Sequence, residues 1–199
     1  MTVKAIFLDK DGTLIENVPY NTDPSRVRLT PGAGPALVRL HTLGYALIVV
    51  SNQPGIAHGF FAPRALDAVY ERLRILLAPY HVPLAGFYYC PHHPAGRVPR
   101  YATACGCRKP APGLLLAAAT IHGVHLERSW MIGDILDDVE AGQRAGCRTV
   151  LVDNGNETEW RQGPFRAPDA TATDLRGAAE RIARCAAWSE RYYRREVRA

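Results

Sequence analysis

Apolar positions along the chain follow two rhythms. Short unbroken runs at residues 3–8, 45–50, 84–89, 130–132 and 149–152 predict five β-strands, rich in β-branched and aromatic residues. Between them, apolar residues recur three and four apart and predict helices. These cover 35–43 (Leu37, Leu40, Leu43), about 65–77 (Leu66, Val69, Leu73, Leu76, Leu77), 113–122 behind Pro110 and Pro112, and 137–145. A last helix begins near Asp174, where Leu175, Ala178, Ala179, Ile182, Cys185 and Ala186 share one face. Two stretches have neither rhythm. Residues 16–28, with Pro19 and Pro24, read as a polar loop, and 90–109, holding Cys, His, Pro and Gly, as a second loop. Residues 155–168 read as an irregular connection to which no chemistry is assigned.

Strand–helix alternation predicts an α/β fold, a central parallel sheet with helices on both faces. The chain reads as a single domain, 1–199, with a loop insertion at 90–109 and a C-terminal helical extension at about 174–199. In such sheets ligands gather beyond the C-terminal ends of the strands. The residues there are Asp9 and Asp11, then Ser51-Asn52-Gln53, then Gly133-Asp134.

Composition narrows the picture. With 47% hydrophobic and 22% charged residues the 199-residue chain is globular. No apolar run reaches the roughly 18 residues of a membrane span, and the start has no leader pattern, so the expectation is a cytoplasmic protein without a membrane partner. The net charge of +5 is spread along the chain, which suits a pocket for anionic substrates better than a nucleic-acid groove. The exception is Arg191-Tyr192-Tyr193-Arg194-Arg195, read together with Trp188 as a solvated helix end. With no interface stripe, a monomer is the default.

These residues suggest phosphate-ester chemistry. A carboxylate approaches a phosphate only with a cation between them, and Mg²⁺ takes oxygen ligands such as Asp9 and Asp134. Asp9 could then attack phosphorus, and Asp11, two residues on, could protonate the leaving oxygen and later activate water. Gly12 permits a sharp turn, and Ser51 and Lys109 could bind phosphoryl oxygens.

Asp9-Lys10-Asp11-Gly12-Thr13-Leu14, Ser51-Asn52-Gln53, Arg108-Lys109-Pro110 and Gly133-Asp134 with Asp138 resemble, in order, the four motifs of the haloacid dehalogenase (HAD) superfamily. The resemblance implies a three-layer Rossmann-like fold. It also implies Asp9 as nucleophile, Asp11 as general acid/base, Mg²⁺ on Asp9, the Asp11 carbonyl and Asp134, and Asp138 as a partner outside the metal's ligands. The second aspartate argues for phosphoryl transfer over dehalogenation.

Of five cysteines, Cys147 and Cys185 fall on apolar patterns and read as core. Cys90, His92, Cys105 and Cys107 have the donor set of a closed structural zinc site, with His93 an alternative to His92. Cys90-Pro91-His92-His93-Pro94 with Cys105-Gly106-Cys107-Arg108-Lys109-Pro110 is similar to the heptose 1,7-bisphosphate 7-phosphatases and histidinol-phosphate phosphatases, compact members without a large cap. That likeness implies a small phosphorylated metabolite as substrate, Arg108 on its distal part, and Asn52, Gln53 and Tyr20 near it. Two positions depart from the heptose pattern: Ile135 stands where those enzymes carry Lys, and Glu16-Asn17-Val18-Pro19-Tyr20-Asn21 lacks their Asp-His pair. A zinc-ribbon nucleic-acid binder or a nucleic-acid 3′-phosphatase is the competing class. The intact aspartates argue against the first, and the absence of a basic groove argues against both.

Overall fold

The computed structural model describes residues 3–196, with side chains through Trp188, so the side chains of the Arg191–Arg195 run lie outside the described residues. In chain order the elements are β1 (Lys4–Leu8), α1 (Ala33–Thr42), β2 (Tyr45–Asn52), α2 (Gly55–His58), α3 (Ala65–Leu77), β3 (Gly86–Cys90), α4 (Gly113–His122), β4 (Trp130–Gly133), α5 (Leu136–Ala145), β5 (Arg148–Val152), β6 (Ala170–Ala172) and α6 (Leu175–Glu196). Among the described residues the strands form one six-stranded sheet, order β3-β2-β1-β4-β5-β6, every pair parallel.

Alternation along the strands builds two cores. Ile6, Leu8, Leu47, Val49, Ile132 and Val150 face one way and pack with Leu37 and Leu40 of α1, Val69 and Leu73 of α3, and Ala178 and Ile182 of α6. Ala5, Phe7, Ile48, Val50 and Met131 face the other way, against Leu115 and Ala118 of α4 and Ala141 of α5. Sheets covered on both faces need strands apolar at every position, which is why these runs showed no alternation. Each fully buried Leu, Ile or Phe contributes about 1.5–3 kcal/mol, which offsets the charges buried at the rim. Cys147 joins the core, where burial pushes its thiol up to about 12, and half-buried Cys185 packs against the other face.

Two elements go beyond the sequence pattern. The strand β6, Ala-Thr-Ala, is too short to show a period and forms by pairing with β5. The turn α2 starts after Pro54 and ends at Gly59, which takes φ +80°. Beyond β1, residues 11–30 fold into a small flap, with Gly12 N–H donating to the Ile15 carbonyl (2.8 Å) and Thr30 N–H to that of Leu14 (3.1 Å). No described helix is long and apolar enough to cross a membrane.

Candidate active site

The chain reverses direction across the sheet at β1. Strands β2 and β3 lie on one side of it and β4 to β6 on the other. Asp9, just beyond β1, donates its N–H to the Ile132 carbonyl of β4 (2.9 Å), so the ends of β1 and β4 sit together. Asp134 follows β4 directly, and Asp138 lies in the first turn of α5. Carboxylate oxygens of Asp9, Asp134 and Asp138 come within 4.8 Å of one another, all three residues buried. Glycine at 133 is required there, since a Cβ would lie 2.2 Å from the Asp138 side chain.

Lys109 brings the balancing charge. Its ammonium contacts Asp9 Oδ1, lies 2.5 Å from Asp138 Oδ1, and donates to the Val50 carbonyl (3.0 Å). Burial works against its charge, but Asp138 and Asp9 outweigh that and hold it above the ordinary lysine range. Its backbone is gripped twice by Asn52: Asn52 Nδ2 donates to the Lys109 carbonyl and Lys109 N–H donates to Asn52 Oδ1, both 3.0 Å.

Burial, with Asp9 close by, pushes Asp134 up to about 6, and Asp138 is raised too, by burial first. Fully ionised, three carboxylates against one ammonium would leave two negative charges in a buried site. That donor set fits a divalent cation with oxygen ligands.

Asp11 faces different partners. Lys10 Nζ lies 2.9 Å from its Oδ1, and Gln53 Nε2 donates to its Oδ2 (3.1 Å) and to Ser51 Oγ (2.8 Å). Burial raises this carboxyl, with Lys10 opposing and Asp9 adding. A carboxyl held above its usual range can deliver a proton nearer neutrality.

The structure thus gathers Asp9, Lys109, Asp134 and Asp138 in one polar network, with a second group of Asp11, Ser51 and Gln53 beside it. The Asn52 amide is spent on the Lys109 main chain. Arg108 lies beside the network, half-buried, its Nη1 without a hydrogen-bond partner in the protein, at a cavity of about 370 Å³ also lined by Pro94, Glu140 and Arg144. Tyr20 is outside the network, half-exposed, with φ +55°, edge-on to Phe60 (4.7 Å) and His58 (6.4 Å).

The thiol cluster is local. Sγ atoms are 3.5 Å apart for Cys90 and Cys105 and 3.2 Å apart for Cys105–Cys107 and Cys107–Cys90. His92 Nδ1 lies 3.4 Å from Cys107 Sγ and 3.7 Å from Cys90 Sγ. Tetrahedral zinc with bonds of about 2.3 Å sets sulfurs roughly 3.8 Å apart, so these four donors fit the metal after a small expansion. His93 turns away: its Nδ1 accepts from Ala95 N–H (3.2 Å) and its ring lies 4.9 Å from that of His58. The loop is tied to α2, where the Ala57 carbonyl accepts from the N–H groups of Arg97 (2.7 Å) and Val98 (2.9 Å).

Sequence reasoning missed Lys10, Thr13 and the Asn154–Glu157 segment. Thr13 Oγ1 donates to Asp134 Oδ1 (3.0 Å) and Asn156 Nδ2 to Asp134 Oδ2 (2.6 Å). The signal was position: Asn154-Gly155-Asn156-Glu157 lies just past β5, at the same rim as the aspartates.

Known proteins are similar to this chain in sequence and fold. Residues 106–178 match the HAD-hydrolase-like family model. The chain is 41% identical over 155 residues to the D-glycero-beta-D-manno-heptose-1,7-bisphosphate 7-phosphatase of Escherichia coli K12, covering 77% of this chain and 81% of that one. The Salmonella typhi protein of the same name is 40% identical, with coverage of 77% and 82%. The B. bronchiseptica D,D-heptose 1,7-bisphosphate phosphatase, crystallised with magnesium and phosphate, superposes with a TM-score of 0.79 at 29% identity, covering 92% of this chain and 99% of that one. Identity at this level over most of both chains reaches past a shared fold: the chain belongs to the HAD-like hydrolases, in the family of the heptose-1,7-bisphosphate 7-phosphatases.

Proposed function

We propose that this phosphatase removes the 7-phosphate of D-glycero-D-manno-heptose 1,7-bisphosphate through an aspartyl-phosphate on Asp9. The observation that carries the mechanism is the unequal surroundings of the two aspartates. Asp9 Oδ1 contacts the Lys109 ammonium, and we assign its other oxygen, Oδ2, to the attack on phosphorus. Asp11 sits two residues on, half-buried and raised, held by Gln53 and Lys10.

In the first step Asp9 Oδ2 forms a bond to phosphorus while the ester P–O bond breaks, and Asp11 gives its proton to the departing sugar oxygen. In the second step the Asp11 carboxylate takes a proton from water as its oxygen attacks phosphorus, the acyl-phosphate P–O bond breaks, and Asp9 and phosphate are released. Lys109 offsets the charge that builds on the phosphoryl group in both steps. Ser51 Oγ, which accepts from Gln53, can donate its hydroxyl hydrogen to a phosphoryl oxygen. Asp9 and Asp134, with the Asp11 carbonyl, would hold Mg²⁺, which when bound neutralises phosphate against the carboxylates. Cys90, His92, Cys105 and Cys107 would hold Zn²⁺, ordering the loop that delivers Arg108 and Lys109. The unpartnered Arg108 Nη1 suits a substrate's second phosphate.

The substrate comes from the names of the relatives. It is tested by phosphate release from heptose 1,7-bisphosphate, fructose 1,6-bisphosphate, histidinol phosphate and a 3′-phosphorylated oligonucleotide, with Mg²⁺ or chelator. The heptose bisphosphate should give the highest kcat/KM. Preference for histidinol phosphate would overturn the substrate, and activity persisting in Asp9→Asn would overturn the mechanism.

A further inference from the structure

Beyond β5 the chain reaches back over the rim and touches it three times. Asn154 Nδ2 donates to the Gly12 carbonyl (2.8 Å). Asn156 Nδ2 donates to Asp134 Oδ2 (2.6 Å). Glu157 Oε2 accepts from the N–H of Leu136, the first residue of α5 (2.7 Å). Glu157 Oε1 accepts from Glu159 N–H (2.8 Å), which fixes the segment's own turn.

These anchors straddle Asp134. One lies on the loop after β1, one on the carboxylate itself, and one two residues past it. The rim is shaped to admit them. Gly12 has φ +86°, and a Cβ there would stand 2.1 Å from Asp134 Oδ2 and 2.5 Å from Asn156 Nδ2. The missing side chain is the space in which carboxylate and amide meet. On the other side Thr13 holds Asp134 Oδ1. Each oxygen thus has one donor, from segments that reach it independently, and the plane of the carboxylate is set. A loop that served only to connect β5 to β6 would satisfy its own amides or leave them to water. It would have no reason to spend a side-chain amide on a buried carboxylate.

We propose that the 154–157 segment is a strap and that Asn156 is a positioning residue, setting the orientation in which Asp134 receives its divalent cation. The inference rests on the reading of Asp134 as a cation ligand. Partners just outside a metal's ligands typically change affinity by about 10- to 100-fold. Cation and strap are therefore coupled in both directions: a strap that orients Asp134 favours binding, and binding holds the strap.

The test uses the full, zinc-loaded chain and Mg²⁺ alone, followed by titration calorimetry and by the Mg²⁺-induced rise in melting temperature. Asn156→Ala should weaken Mg²⁺ binding about 10-fold or more. The Mg²⁺ concentration for half-maximal phosphatase activity should rise in parallel, while kcat at saturating Mg²⁺ stays within about three-fold of the wild type, since the reacting groups are untouched. Asn156→Leu, similar in shape but without a donor, should behave the same and serves if the alanine variant does not fold. Mg²⁺ affinity within about two-fold of wild type in either folded variant overturns the proposal. Asp134→Asn separates the two readings. If wild-type protein binds no Mg²⁺, or binds it undiminished in Asp134→Asn, the cation site itself is wrong. If binding is lost in Asp134→Asn and kept in Asn156→Ala, only the strap is.

Discussion

Two clusters in this molecule gather metal-ligating side chains, and they are built in opposite ways. The thiol cluster takes Cys90 from the end of β3 and its other three donors from the loop that follows, with Cys90 and Cys107 17 residues apart. The carboxylate cluster takes Asp9 from just past β1 and Asp134 from just past β4, and joins Lys109 across 100 residues, with that one ammonium offsetting only part of its charge. A four-donor set of three thiols and an imidazole closes around a metal and leaves no vacant position. A carboxylate set with excess negative charge and a reachable Asp9 oxygen leaves room for cation and substrate. On the proposed reading, the contrast separates a cluster that holds the chain from one that acts on a ligand. They meet at Lys109, which the loop delivers and the rim uses.

The sharpest way to break this contrast is to disable one cluster and read the other. Asp9→Asn should lower kcat by about 10⁴-fold or more, as expected for a lost nucleophile, with zinc content and melting temperature little changed. Measurable turnover at that position would make the carboxylate cluster something other than the reaction centre. Next in size, Cys107→Ser should release close to one zinc per chain and lower kcat/KM about 10²-fold, because Lys109 loses its delivery although Asp9 is intact. If zinc content falls and kinetics do not, the two clusters are independent.

Asn52→Ala tests the link between them. Losing both hydrogen bonds to the Lys109 backbone should cost about ten-fold in kcat, with zinc retained. An unchanged kcat, at full zinc content, would show that the loop alone sets Lys109.

The smallest effect concerns pH. Between about 4 and 6 the metal-free fold keeps a proton on Asp134 that the unfolded chain has lost, so this group's contribution to stability falls as pH rises through about 6. At the proposed site Mg²⁺ would bind the ionised form. Its effect on melting temperature should therefore be clear at about pH 7.5 and nearly gone at about pH 5. An equal shift at both values would separate Asp134 from the cation.

Most of the sheet was legible because its strands are buried on both faces and carry unbroken apolar runs. The strand β6 was not, since three residues of Ala and Thr acquire their state from pairing with β5. At the site, Asp9, Asp11 and Asp134 were visible as chemistry placed at strand ends, and Lys109 as a cation in the loop ahead of α4. Asn52 was visible as a residue and opaque as a role, because the contact it makes lies 57 residues away on a main chain. Asn154 and Asn156 look like ordinary turn residues, and nothing near them in sequence reveals partners at Gly12 and Asp134. Buried motifs are written in local patterns, whereas the groups that orient them are chosen by the folded rim.

The order of the strands also has a meaning in time. Three neighbouring strands, β3, β2 and β1, come from the first 90 residues, and the thiol loop follows directly. Bringing Thr13 to Asp134 closes 121 residues, against 17 for Cys90 and Cys107, an extra loop-closure cost of about 2 kcal/mol. A chain emerging from the ribosome can close its thiol loop while Asp9 still lacks every partner from β4 onward. The phosphatase is armed late, once Asp134 and then Asn156 have been made, and a chain stopped before residue 134 would carry Asp9, the nucleophile proposed above, without the means to use it.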